Sequence, residues 1–223
     1  MIISHIIDFL KFGISTRFFL KEIEPMKEKR TLPKTVLVIG KALEPTLHLI
    51  RSALEFLGSE SDYSIADGRD PSNTGKDSIV LVLNLEGIDR VRLASQLNRA
   101  NWVILNLEDV ETVRLALEVK EKLSWISTRE PRKILGPLVD LFTGTYFDQS
   151  ENSIVDTVHG LHSEYKAFPR QQSDILPLVA TIAIAERLDF SRPILAEWIS
   201  SLPAASAPSF QYSRNTSEAR SHL

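Results

Sequence analysis

Short apolar runs alternate with longer amphipathic stretches through the first half of this chain, and that alternation restricts the fold more than any other feature. Residues 35–40, "TVLVIG", form a β-branched run closed by glycine and read as a buried strand. The next stretch, "KALEPTLHLIRSALEFLG", places Leu47, Ile50, Leu54 and Leu57 on one helical stripe and ends in Gly58, a helix stop. Strand and helix then repeat: a strand at 79–85, a helix at 89–98 with Val91, Leu93, Ala94 and Leu97 apolar, and a strand at Trp102-Val103-Ile104-Leu105-Asn106. A helix in "VETVRLALEVKEKL" follows, with Val113 and Leu117 on its stripe, and Trp125-Ile126-Ser127 reads as a fourth strand. Such alternation implies an α/β fold, a mostly parallel sheet with helices on both faces.

The segment "GRDPSNTGKDS" resembles a nucleotide loop at first sight. A phosphate-cradling loop reads G-x-x-x-x-G-K-[ST], so that backbone N–H groups wrap the phosphates while Lys and a hydroxyl complete the site. Here the spacing differs, and the segment runs into the apolar strand at 79–85 instead of a helix whose N-terminus would favour an anion. It reads as a polar turn. Parallel sheets bind ligands outside the carboxyl ends of their strands, so the candidate rim carries Gly40, the Asn84-Leu85-Glu86-Gly87 run, and Asn106, Glu108 and Asp109. The last three are equally suited to capping the helix that follows them.

Composition limits the ligand classes. A formal charge of −3 gives no basic footprint for nucleic acid. The absence of cysteine removes disulfides, zinc thiolates and cysteine nucleophiles, and it fits a reducing compartment such as the cytoplasm. His159 and His162 have i, i+3 spacing, but they flank Gly160 and lack an acidic partner at a diagnostic spacing, so no metal site is expected.

The expected organisation is an amphipathic helix over 1–24, a charged linker over 25–34, an α/β domain over 35–203 and a polar tail over 204–223. In the first segment Ser4, Asp8, Lys11 and Ser15 form one polar stripe, and isoleucine, leucine and phenylalanine cover the rest. It could pack on its own domain, pair with a protein partner, or lie at a membrane surface beside Lys11, Arg17, Lys21 and Lys27 through residues 1–20. Asp8 and Lys11 interrupt it too early for a spanning helix, and no signal-peptide pattern is visible. Between 131 and 168 the short runs and turn signals read as hairpin-like pieces, and two helices follow in "SDILPLVATIAIAERLDF" and "SRPILAEWISSLP", the second opened by Ser191 and Pro193.

These pieces in order resemble the ATP-binding central domain of the Mur ligase family, whose members join amino acids or peptides to UDP-muramyl precursors of peptidoglycan. The stretch "RLASQLNRANWVILNLEDVETVRLALEVKEKLSWIS" is similar to the family's helix, strand and I-L-N-x-D-D motif, with Asn106, Glu108 and Asp109 on the motif positions. The resemblance implies that these residues approach the adenine and ribose of ATP. Gly144-Thr145-Tyr146-Phe147 is similar to a G-T-x-F hairpin of the D-alanyl-D-alanine-adding branch. The stretch "VATIAIAERLDFSRPILAEWISSLP" is similar to the family's A-A-I-A-V-A-x-x-L-G helix and its successor. The implied fold is related to the P-loop NTPases, and the implied cofactors are ATP and Mg²⁺.

The chain also departs from that pattern. Where the family carries G-x-T-G-x-x-G-K-[ST], this sequence reads "GKALEPTLHL", keeping Gly40 and setting Glu44 and Pro45 in the loop. Asn84 or Glu86 falls near the Mg²⁺-binding glutamate position, the histidine-bearing segment expected after it is missing between Arg90 and Leu93, and Gln171-Gln172-Ser173 replaces a G-R-H. The family's C-terminal amino-acid-binding domain is not recognisable, and its N-terminal substrate domain is reduced at most to the first helix. The expectation is a degenerate, truncated, non-catalytic binding or scaffold protein, probed against two alternatives: an ATP-dependent amide ligase completed by a partner chain, or a membrane-surface adaptor.

Overall fold

The computed structural model describes residues 34–40, 43–68, 74–119, 122–136, 139, 142–157, 162–169 and 171–202. The expected helix over 1–24, most of the linker and the tail lie outside the described residues.

One eight-stranded sheet organises the domain. Its strands are β1 (Thr35–Ile39), β2 (Ser64–Asp67), β3 (Ser78–Val82), β4 (Trp102–Asn106), β5 (Leu123–Ser127), β6 (Gly144–Asp148), β7 (Ser153–Asp156) and β8 (Ser163–Lys166). They lie in the order β2-β1-β3-β4-β5-β6-β7-β8. The pairings from β2 to β6 are parallel, and β7 and β8 add an antiparallel meander at one edge. The expected α/β architecture is therefore present, and the expected hairpins are β6–β7 and β7–β8. A strand pair that is buried on both faces loses the polar alternation of an open sheet, which is why β3 and β4 read as continuous apolar runs.

The helices are α1 (Glu44–Phe56), α2 (Arg90–Leu97), α3 (Val110–Leu115), α4 (Arg132–Leu135), α5 (Gln172–Arg187) and α6 (Arg192–Ser201). α1, α5 and α6 cover one face: Leu47, Ile50 and Leu54 of α1 pack with Val36, Val38 and Ile79 beneath, and Val179, Ile182, Leu195 and Trp198 join the same core. Full burial of each such side chain stabilises by roughly 1.5–3 kcal/mol. α2 and α3 cover the opposite face, where Leu93, Leu97 and Leu115 meet Leu37, Val80, Val103 and Leu105. α5 is buried almost all round, so its sequence is apolar without a clear stripe.

Several boundaries differ from the sequence reading. β2 was not anticipated; it is a four-residue edge strand whose side chains are at most half-buried, so no apolar run marks it. α3 stops at Leu115 instead of continuing to residue 123, and Leu117, expected on its buried stripe, is 55% exposed. The chain turns there because Leu115 and Val119 both enter the core, while Arg90 Nε pairs with the Glu118 carboxylate at 2.9 Å and Asn98 Nδ2 donates to the Glu118 carbonyl at 3.1 Å. Val91, also expected on an apolar stripe, is exposed in the first turn of α2. Gly75-Lys76-Asp77-Ser78, the end of the "GRDPSNTGKDS" segment, is a turn that feeds β3, with Ser78 N–H donating to the Gly75 carbonyl at 3.0 Å. This turn sits at the amino ends of the strands, across the sheet from the candidate rim, whereas Gly68, where the segment starts, follows the carboxyl end of β2 with its N–H donating to the Val38 carbonyl at 2.8 Å, and residues 69–73 lie outside the described residues.

Candidate functional site

β2 and β3 flank β1 on opposite sides, so the chain changes direction across the sheet at β1. In open α/β sheets the crevice at such a switch point, outside the carboxyl ends of the strands, is where ligands bind. Here that crevice is bounded by Gly40 after β1, Leu83 and Asn84 after β3, Asn106 at the end of β4, and the N-terminus of α1.

Gly40 has φ +142°, a region that L side chains avoid. A Cβ on it would stand 3.1 Å from Leu83 Cβ and 3.2 Å from the Asn84 nitrogen. Glycine at this position thus lets the chain leaving β1 press against the chain leaving β3, with Leu83 N–H donating to the Ile39 carbonyl at 2.8 Å. The described start of the helix that follows is poorly suited to an anion. Leu43, the N-cap, makes no side-chain cap, Glu44 puts a carboxylate in the first turn, and Pro45 lacks an N–H.

Asn106 is buried, and both ends of its amide are engaged. Nδ2 donates to the Leu83 carbonyl at 3.0 Å, tying β4 to β3, and Oδ1 accepts from the Glu108 N–H at 3.0 Å, closing the turn after β4. Glu108 reaches across to the end of β5. Its Oε1 accepts from Thr128 Oγ1 at 2.8 Å, from Thr128 N–H and from Ser127 Oγ at 3.1 Å, and Oε2 stands 3.5 Å from Arg129 Nε. Asp109 is the N-cap of α3, its Oδ1 accepting from Thr112 N–H at 2.9 Å. Thr112 Oγ1 also donates to the carbonyls of Asn106 and Asp109, the latter at 2.8 Å.

The structure brings Asn106, Glu108 and Asp109 together in one turn, and each side chain is directed at its own chain. The partners of Glu108 at Ser127, Thr128 and Arg129 were not singled out in the sequence; their position directly after the β5 run was the available signal. Gln171 and Asp174 form a reciprocal cap at the start of α5, which gives the first residue of the Gln-Gln-Ser sequence a structural role there. Asn84 and Glu86, near the metal-binding position implied by the resemblance, both have interactions of their own. His162 is exposed, His159 lies outside the described residues, and among the described residues no three His, Asp or Glu side chains are grouped to hold a metal.

A second polar cluster was missed in the sequence. Arg187, its side chain fully buried at the end of α5, donates through Nη1 to Asp156 Oδ1 at 2.7 Å, to Thr145 Oγ1 at 3.1 Å and to the Ala183 carbonyl at 2.9 Å. A lone arginine in an otherwise apolar helix was its sequence signal. Nearby, Tyr165 Oη donates to Glu186 Oε1. Burial first, and then that carboxylate, raise the phenol pKa well above its ordinary value.

Two cavities lie elsewhere: one of about 250 Å³ near Asn152 and Gln171, and one of about 340 Å³ between α1 and α6. Neither is lined by Gly40, Asn106, Glu108 or Asp109.

No protein-family model matches the sequence, and no curated protein matches it. Among solved structures, the chain is similar to the UDP-N-acetylmuramoylalanyl-D-glutamyl-2,6-diaminopimelate--D-alanyl-D-alanyl ligase from Acinetobacter baumannii, with a TM-score of 0.50 and 12% identity over 76% of this chain and 46% of that one. The fold is Mur-ligase-like. A UDP-N-acetylmuramoyl-L-alanyl-D-glutamate--2,6-diaminopimelate ligase is similar to the same extent, with a TM-score of 0.50 and 13% identity over 79% of this chain and 47% of that one. The chain thus spans about half the length of these ligases.

Proposed function

We propose that this chain is a degenerate relative of the peptidoglycan-precursor ligases, acting in the cytoplasm as a non-catalytic binding or scaffold protein close to cell-wall synthesis. The observation that carries the reading is the N-terminus of α1. Phosphoryl transfer is catalysed by positioning and by neutralising charge on the phosphates, so a working loop offers N–H groups and a cation. In this chain the same place holds Glu44 and Pro45. A carboxylate close to a phosphate oxygen costs about 4 kcal/mol per unit-charge pair at an effective dielectric of 20. Among the described residues at that place, Leu43, Glu44 and Pro45 do not fit the phosphates of ATP, and no catalytic step is assigned through ATP or Mg²⁺.

The motif residues support the same reading. Asn106, Glu108 and Asp109 are the positions where a nucleoside would be held if the resemblance extended to function. Their polar atoms are engaged in holding β3, β4, β5 and α3 together. Among the described residues no helix is long and apolar enough to cross a membrane.

Calorimetric titration of the full chain with Mg²⁺-ATP tests the proposal, alongside the Asp109→Ala and Glu44→Gln variants, with circular dichroism to check that each keeps its fold. No saturable heat at millimolar ATP is expected from the unmodified chain. Saturable binding that Asp109→Ala weakens would overturn the scaffold reading in favour of a ligase completed by a partner chain.

A further inference from the structure

The groove between α1 and α6 is lined by Ser52, Glu55, Phe56, Trp198, Ser201 and Leu202, and encloses about 340 Å³. Trp198, 1% exposed, forms its floor, with the indole nitrogen 3.5 Å from Ser52 Oγ. Phe56, in the last turn of α1, forms a wall and is 43% exposed, although Leu54 beside it is buried. Ile194 lies one helical turn before Trp198 on the same side of α6 and is 41% exposed, so the apolar strip continues along the helix. A large aromatic ring left half in water over an apolar floor marks a surface that a partner would cover.

We propose that this groove is the docking site of the chain's own residues 1–24, which lay their apolar face against Phe56 and Ile194 over the Trp198 floor. Three observations select that occupant. The first is chemistry: Ile2, Ile6, Phe9 and Leu10 lie across the helical wheel from the polar stripe of Ser4, Asp8 and Lys11, and such a face needs cover. The second is reach. Lys34, where the described chain begins, is fixed at the amino end of β1, its N–H donating to the Asp77 carbonyl at 2.7 Å and its carbonyl accepting from Ser64 N–H at 2.8 Å. α1 leaves the carboxyl end of β1 and returns towards the amino end, where β2 begins, so its last residue, Phe56, lies towards the same end of the sheet as Lys34. Residues 25–33 extend at most about 30 Å, ample to cross a helix of about 10 Å diameter. The third is charge: Glu55 stands exposed on the rim of the groove, and the segment carries Lys11, Arg17 and Lys21. The chain after Leu202 also starts beside the groove, but residues 203–209 are small, polar or proline and offer no apolar stripe.

The chain contains no cysteine, so engineered pairs report cleanly. The full chain carrying Ser52→Cys is combined in turn with Ile6→Cys, with Phe9→Cys, with Phe210→Cys, and with Arg92→Cys on α2 across the sheet as the background control. Each is oxidised mildly and resolved on a non-reducing gel with mass spectrometry of the linked peptides. The expected result is an intrachain disulfide with Ile6→Cys or Phe9→Cys at monomer mobility, lost when Phe56→Ser is added. Four results overturn the proposal: no bridge above the Arg92→Cys background, a bridge that links two chains, a bridge to Phe210→Cys in place of the N-terminal pairs, and a bridge indifferent to Phe56→Ser. Ser52→Cys replaces only the 3.5 Å acceptor of the Trp198 indole by a sulfur, and the other cysteines replace none of the described residues of the two hydrophobic cores, so circular dichroism of each variant is expected to match the parent.

Discussion

Replacing Asn106 by alanine discriminates most directly between a side chain that holds the fold and one that awaits a ligand. Asn106 is 8% exposed and makes two 3.0 Å hydrogen bonds, one to the Leu83 carbonyl and one from the Glu108 N–H. Truncation removes both and strands both partners. A buried polar group left without a partner costs about 1–3 kcal/mol. The Leu83 carbonyl, which belongs to a buried residue between two strands, falls in the upper part of that range, and the N–H of half-buried Glu108 in the lower part. Together they give about 2–4 kcal/mol, a large share of the 5–15 kcal/mol typical of a domain. At a urea slope of about 2 kcal/mol/M this lowers the unfolding midpoint by about 1–2 M with the slope unchanged. Asn106→Asp sharpens the case. It keeps the acceptor for the Glu108 N–H but turns the donor into a second oxygen facing the Leu83 carbonyl, so it is as damaging as alanine at neutral pH. It recovers part of the loss as pH falls towards about 4, where a protonated carboxyl can donate again. An unfolding free energy for Asn106→Ala within about 0.5 kcal/mol of the parent would refute the structural role and return the amide to the pool of ligand-binding groups.

Other substitutions probe the opposite edge. Asp156→Ala leaves the Arg187 guanidinium buried with Nε and Nη2 already lacking partners, so a loss of about 3–5 kcal/mol is expected in chemical denaturation; the joint replacement Asp156→Leu with Arg187→Met should recover most of it. Tyr165 keeps its proton in the folded state because burial and Glu186 raise its pKa, whereas the unfolded phenol ionises at about 10. Its contribution is therefore fully present below about pH 10 and declines as pH rises above that, by up to about 1.4 kcal/mol per pH unit, and Tyr165→Phe removes that share of the slope when unfolding is followed across the alkaline range. Gly144→Ala would put a Cβ 2.1 Å from the Trp125 carbonyl oxygen, backbone against backbone, so a loss of about 3 kcal/mol or more is expected, read as a lowered Tm; a Tm unchanged within error would show that β5 and β6 separate freely there.

Legibility in the sequence followed burial. β1, β3 and β4 are covered on both faces and could be read directly from their β-branched runs. β2 carries "SIAD" at a sheet edge, where one isoleucine among polar and small residues has no pattern to show. α3 was overextended because "LALEVKEKL" has good helix formers throughout, and propensity yields to tertiary demand. Leu115 and Val119 must both reach the core, and Arg90 and Asn98 draw Glu118 towards α2. At the rim, the positions of Asn106, Glu108 and Asp109 were legible because polar residues ending an apolar strand stand out. The direction of Asp109 was legible as well, because its cap to Thr112 is local; those of Asn106 and Glu108 were not, since they are decided by Leu83, Ser127 and Thr128, each roughly twenty residues away in the chain and brought close only by strand pairing.

That division bears on what the resemblance itself measures. A turn in which an asparagine ties two strand ends, a carboxylate gathers the next strand and an aspartate caps a helix is required by the sheet whether or not a nucleotide is present. Such a turn solves a folding problem of this sheet, with or without a ligand at the rim. The phosphate loop solves no such problem. Its glycines and lysine serve the anion, and without one the N-terminus of α1 is free to take a glutamate that favours the helix dipole and a proline preset for the first turn. The departures at Glu44 and Pro45 and the structural bonds of the trio at 106, 108 and 109 therefore both accord with the proposal that this chain uses the architecture of the sheet without ligase chemistry at its rim.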